Sequence, residues 1–142
     1  MIWNTNISLE GLNEINKNSM GFFLGIEFID FGPDFITAKM PVNERTVQPF
    51  GILHGGASVV LAETLGSVAS AYCMDGSNKS AVGVEINANH LRPGLPNTYV
   101  YGTVKPVRIG RTIHVWAIEI KDENQKLVCV SRLTVAIIDK KT

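Results

Sequence analysis

Cysteine is scarce in this sequence: there are two in 142 residues, Cys73 and Cys129, both inside apolar runs. Two cysteines make neither a disulfide framework nor a four-ligand zinc site. Net charge is also missing, because 13 Lys and Arg balance 13 Asp and Glu. A neutral chain is a poor general binder of nucleic acid or of membrane surfaces. There is no H-E-x-x-H, no Walker A and no G-x-G-x-x-G. The first twenty residues lack a basic start followed by an apolar run, so no targeting segment is expected and the expected location is cytoplasmic. The longest apolar stretch, Gly56 to Cys73, is 18 residues long and carries Glu63 near its middle. A spanning helix needs about 20 mostly apolar residues, and a central carboxylate is costly there. The stretch therefore reads as a helix buried in protein.

What the sequence does have is core-forming material. Hydrophobic residues make up 45% and charged residues 18%. A chain of this length buries roughly two thirds of its unfolded surface, enough for one domain over residues 1–142. An N-terminal helical arm is expected within residues 1–20. Ser8 can cap its helix, Ile7 and Leu12 occupy the staple positions, and Leu9, Leu12 and Ile15 give one apolar stripe. Two apolar runs joined at Gly32-Pro33-Asp34 predict a hairpin. Residues 43–53 are irregular, and His54-Gly55-Gly56 opens the long helix. Val82, Val84, Ile86 and Ala88 alternate with Gly83, Glu85, Asn87 and Asn89, the period of a half-buried strand. Runs over 98–107, 112–121 and 127–138 read as three further strands. Strand and helix do not alternate, so a parallel α/β sheet is disfavoured. The expected class is α+β, an antiparallel sheet against one long helix. That helix is apolar nearly all round, so either the sheet wraps it or a second copy of the chain covers the rest.

Glu63 is the only side chain between His54 and Asp75 that carries a charge at neutral pH. A lone carboxylate among apolar residues is costly unless paired, and is often kept for chemistry. The alternative is a small exposed stripe or a cap to a neighbouring element. Ser67 and Ser70, four and seven residues on, predict a polar seam with Glu63 along one helix face. His54-Gly55-Gly56 precedes this helix, where backbone N–H groups lack internal partners and carry the positive end of the dipole. Such a start can serve as an oxyanion hole, although the same tripeptide also suits an ordinary turn. Gln48 approaches that turn. His90 is in phase with Val82 to Ala88, either at a site or as a core histidine. No acidic residue occurs from Ile86 to Ile118, where Arg92, Lys105, Arg108 and Arg111 fall. This basic third suits a small polyanion or a solvated face. Phe50, Val68 and Tyr72 could line a flat apolar pocket or belong to the core.

Taken together, VQPFGILHGGASVVLAETLGS, MPVNERTVQPFG, VGVEINANHLRP and IGR resemble the hotdog-fold acyl-CoA thioesterases of the PaaI and aromatic acyl-CoA type, over essentially the whole chain. The resemblance implies a long central helix wrapped by an antiparallel sheet, a homodimer with a continuous sheet and a shared active site, and a homotetramer of two such dimers. It implies hydrolysis of an aromatic acyl-CoA, hydroxybenzoyl- or 1,4-dihydroxy-2-naphthoyl-like as in menaquinone biosynthesis, with no cofactor, metal, nucleic acid or membrane involved. Glu63 matches the carboxylate that attacks the thioester or activates water, and Gly55 the amide that polarises its carbonyl. Gln48 and His54 match the polar pair that positions the thioester, Ser67 a hydroxyl that orients water, and His90 a histidine of the acyl pocket. Arg92, Arg108 and Arg111 are the choices for the nucleotide phosphates. Leu91 departs from the pattern, standing where close relatives often carry a second histidine. Glu63 lies nine residues past His54, about 13 Å along one helix. That is too far for both to touch one carbonyl, so the spacing favours two antiparallel helices, one from each chain. A hydratase or dehydratase on acyl thioesters, or a non-catalytic acyl-CoA binding module, are the alternatives.

Overall fold

The computed structural model describes residues 1–76 and 78–141. In chain order the elements are α1 (Leu9–Asn16), α2 (Met20–Phe23), β1 (Glu27–Phe31), β2 (Ile36–Pro41), α3 (Gly55–Cys73), β3 (Lys79–His90), β4 (Tyr99–Ile109), β5 (Ile113–Lys121) and β6 (Leu127–Asp139). The strands form one antiparallel sheet in the order β1-β2-β4-β5-β6-β3. Helix α3 packs on its inner face. Leu61, Ala62, Leu65 and Ala69 of α3 are buried against Val100 and Val104, Trp116 and Ile118, and Leu133 and Val135. In β5 the buried side chains fall at every second position, His114, Trp116, Ile118 and Ile120, which is the period a strand with one covered face requires. This is the expected α+β hotdog architecture. No helix among the described residues is long and apolar enough to cross a membrane.

The N-terminal arm differs from expectation in its buried face. Ser8 does cap α1, accepting from the Gly11 N–H at 3.0 Å. Leu12 is buried, but Leu9 and Ile15 are exposed, and the second buried residue is Asn16. An amide can sit there because it is hydrogen-bonded: Asn16 Nδ2 donates to the Ile26 carbonyl at 3.0 Å. Asn13 grips both backbone groups of Phe28, each at 2.9 Å, and so ties α1 to the edge strand β1. The short helix α2 carries no sequence period long enough to be foreseen.

In β3 the expected phase holds only at one end. Gly83 pairs with Val135 and Glu85 with Thr134, so Val84 is an extra residue in a bulge. Ala81, Ile86 and Ala88 pack on the core, whereas Val82 and Val84 face solvent. The extra residue flips everything before it.

Ser70 also departs from the predicted seam. It is fully buried against β5, where its hydroxyl oxygen accepts from Trp116 Nε1–H at 2.7 Å and lies 3.0 Å from His114 Nδ1. Burial pushes the His114 pKa below its ordinary 6.5, against a smaller opposing effect of its hydrogen bond to the Gly110 backbone. As pH falls through 6.5 the unfolded chain takes up this proton first, so stability declines between 6.5 and the folded value and levels off below it. Melting temperatures measured from about pH 7.5 to about pH 5 are expected to fall, and His114→Gln to fall less steeply. Equal slopes would place the effect elsewhere. Both thiols are free and buried, and burial pushes both pKa values up, that of Cys73 to about 12, which disfavours the reactive thiolate.

Candidate active site

The loop before α3 is folded by its own backbone. Val47 bridges Leu53, the Gln48 N–H donates to the Ile52 carbonyl at 2.8 Å, and the His54 N–H donates to the Thr46 carbonyl at 2.8 Å. These bonds deliver His54 to the N-cap of α3, where Nδ1 accepts the Gly56 N–H at 2.8 Å. The His54 carbonyl takes the Ala57 N–H. Among the described residues the Gly55 N–H has no backbone acceptor, and it points from the positive end of a 19-residue helix. A Cβ placed on Gly55 would come within 2.8 Å of His90 Nε2, so the imidazole packs closely against this glycine. His90 is exposed rather than a core histidine.

Gly55, Gln48, His90 and Arg92 line one pocket of about 410 Å³, walled by apolar residues such as Leu53 and Val128. The Gln48 side-chain oxygen accepts the Phe50 N–H. Beneath the pocket lies the Ser58 hydroxyl, buried and without a hydrogen-bond partner among the described residues. It carried no sequence signal, being one small residue in an apolar run. Phe50, at the loop tip, is 90% exposed.

Glu63 lies elsewhere. It is half-buried in a second pocket of about 390 Å³, together with Ser67 and Val68 of α3. Its Oε2 passes 3.2 Å from where a Cβ on Gly83 would sit, directly before the bulge in β3. No ion pair among the described residues includes it. Gly55 and Glu63 are eight residues apart, about 12 Å along α3. Tyr72 is outside both pockets, its hydroxyl 3.0 Å from where a Cβ on Gly11 of α1 would lie. The three arginines do not meet within one chain. Arg92 Nη1 donates to the Leu127 carbonyl at 3.3 Å, whereas Arg111 adjoins Ile137 at the other end of β6, about 30 Å away at the rise of a strand. Arg108, opposite Val115, also lies toward that far end.

Comparison with known proteins identifies the family of this fold. The thioesterase superfamily profile matches residues 50–129, more than half of the chain. The chain is 52% identical over 138 residues to 1,4-dihydroxy-2-naphthoyl-CoA hydrolase of Escherichia coli, covering 97% of this chain and 100% of that one. Crystal structures of a mutant thioesterase from Pseudomonas aeruginosa and of a thioesterase from Haemophilus influenzae superpose with TM-scores of 0.95 and 0.93. They are 48% and 50% identical to it, cover 99% and 98% of this chain, and are themselves covered over 100% and 96%. A carboxylate and a free helix-start amide on a hotdog scaffold, matched along nearly the full length, lead to one conclusion: the chain belongs to the thioesterase superfamily and is a thioester hydrolase.

Proposed function

We propose that the protein hydrolyses aromatic acyl-CoA thioesters at sites shared between two copies of the chain, releasing the free acid and CoA. The observation carrying this reading is the separation of Gly55 and Glu63 into different pockets of one chain. A second copy with its helix antiparallel brings one chain's Gly55 to the other's Glu63. In this reading Gly55 N–H stabilises the growing negative charge on the thioester oxygen, the electrostatic term worth about 10²–10³ in rate. Glu63 then takes the proton of an attacking water held by Ser67, or attacks the carbonyl carbon itself to give an anhydride that water opens. The C–S bond breaks and the CoA sulfur leaves with a proton. Gln48 orients the thioester, His54 holds the helix start in shape, and His90 closes over the carbonyl. Arg92, at the mouth of the Gly55 pocket, suits a CoA phosphate on its own chain, while Arg108 and Arg111 could reach the same nucleotide only from a partner. The aromatic preference is supported by the relative from Escherichia coli.

The test is complementation read as thiol release from benzoyl-CoA. Glu63→Ala and Gln48→Ala are each expected to lose about a hundredfold or more. Co-expressed and purified by two different tags, the mixed dimer contains one intact shared site and is expected to recover about half of wild-type activity. A mixed dimer no more active than its parents would confine the site to one chain.

A further inference from the structure

We infer that the corner between α1 and α2 forms the outer wall of the acyl pocket, with Met20 and Ile15 as residues that select the size of the acyl group. This rests on the reading of Glu63 as the reacting carboxylate. The pocket holding Glu63 has one wall made by α3 and the opposite wall made by this corner, through Ile15, Asn16, Ser19, Met20 and Gly21. A group bonded to the carbon that Glu63 attacks must lie within a few ångströms of its carboxylate, and this corner is the surface it meets.

The wall is fixed rather than loose. Ser19 Oγ donates to the Asn16 carbonyl at 2.5 Å and caps α2 by accepting the Phe22 N–H at 3.2 Å. Asn16 is buried and bonded to Ile26. A Cβ on Gly21 would sit 2.9 Å from Asn16 Oδ1, so Gly21 packs tightly on α1, and 3.5 Å from the Thr64 methyl, an ordinary contact distance that places the corner against α3. Onto this fixed base Ile15 and Met20 are mounted 51% and 65% exposed, although Leu12 and Leu24 on the same two-helix arm are buried. Two large apolar side chains left bare in one concave site mark it as built for an apolar ligand. The volume, about 390 Å³, suits a planar ring system.

The experiment compares kcat/KM for propionyl-, benzoyl- and 2-naphthoyl-CoA. Met20→Trp narrows the space and is expected to lower the benzoyl-to-propionyl ratio about ten- to hundredfold. Met20→Ala widens it and is expected to raise the naphthoyl-to-benzoyl ratio. Phe22→Ala, on the same helix but outside the pocket, is expected to change neither ratio. Ratios that stay within about twofold in both Met20 variants, or that move equally in Phe22→Ala, overturn the assignment. A wild-type enzyme with no aromatic preference would remove the aromatic reading alone, since opposite size shifts in the two Met20 variants would still place this wall against the acyl group.

Discussion

Glu63→Gln is expected to fold and to bind CoA esters as the parent does, yet to hydrolyse them about 10²–10⁴ times more slowly. The substitution keeps the size and hydrogen-bonding capacity of the side chain and removes its ability to take a proton or to attack carbon. Folding should be spared for a reason visible around the residue: Glu63 is half-buried at a pocket wall and belongs to none of the ion pairs among the described residues. No partner is orphaned when its charge is lost. The loss should fall on kcat, with KM changed little, because the group is needed most where charge develops. If the Glu63→Gln variant retained more than about a tenth of parental kcat on benzoyl-CoA, the carboxylate would be removed from the chemistry, leaving the helix-start amide as the main contributor.

The strands and the long helix were legible from the sequence because each repeats one spacing many times over. Helix α3 was expected from Gly56 and runs from Gly55, and the last strand was expected over 127–138 and ends at Asp139. The bulge at Val84 was not legible, since one extra residue leaves no mark in composition while reversing the faces of Val82 and Val84. Asn16 passed without a reading, and Ser70 was misread, for a related reason. A polar side chain is buried only when a distant partner accepts it, and the partners here, Ile26 for one and Trp116 with His114 for the other, are 10, 46 and 44 residues away. At the candidate site both the residue types and the separation of the helix start from Glu63 were legible, because distance along α3 follows from the rise per residue. The surroundings of Ile15 were not. Counted into an apolar stripe with Leu9 and Leu12, it reads as core, whereas the capped turn at Ser19 leaves it open beside Glu63.

The largest effect on stability is expected from Trp116→Ala, a loss of about 3–5 kcal/mol. Trp116 is 0% exposed and heads the largest fully buried side chains of the core. Truncation would leave a void between β5 and α3 that the surrounding Leu and Val side chains can only partly fill. It would also remove the indole N–H that donates to Ser70 Oγ at 2.7 Å, and the edge that His114 meets at 6.1 Å between ring centroids. Domains of this size have about 5–15 kcal/mol in total, so such a loss takes a large share of the margin. The melting temperature should drop by about 10–20 °C. Trp116→Phe helps to separate the two contributions, because it keeps a buried aromatic ring and loses the donor to Ser70 with only part of the indole volume. Its cost should be about 1–2 kcal/mol, with kcat near parental at about 25 °C, since neither pocket is lined by this residue. If the Phe variant melted as low as the Ala variant, the bond to Ser70 rather than the volume of the indole would be what pins α3, and with it Glu63, to the sheet.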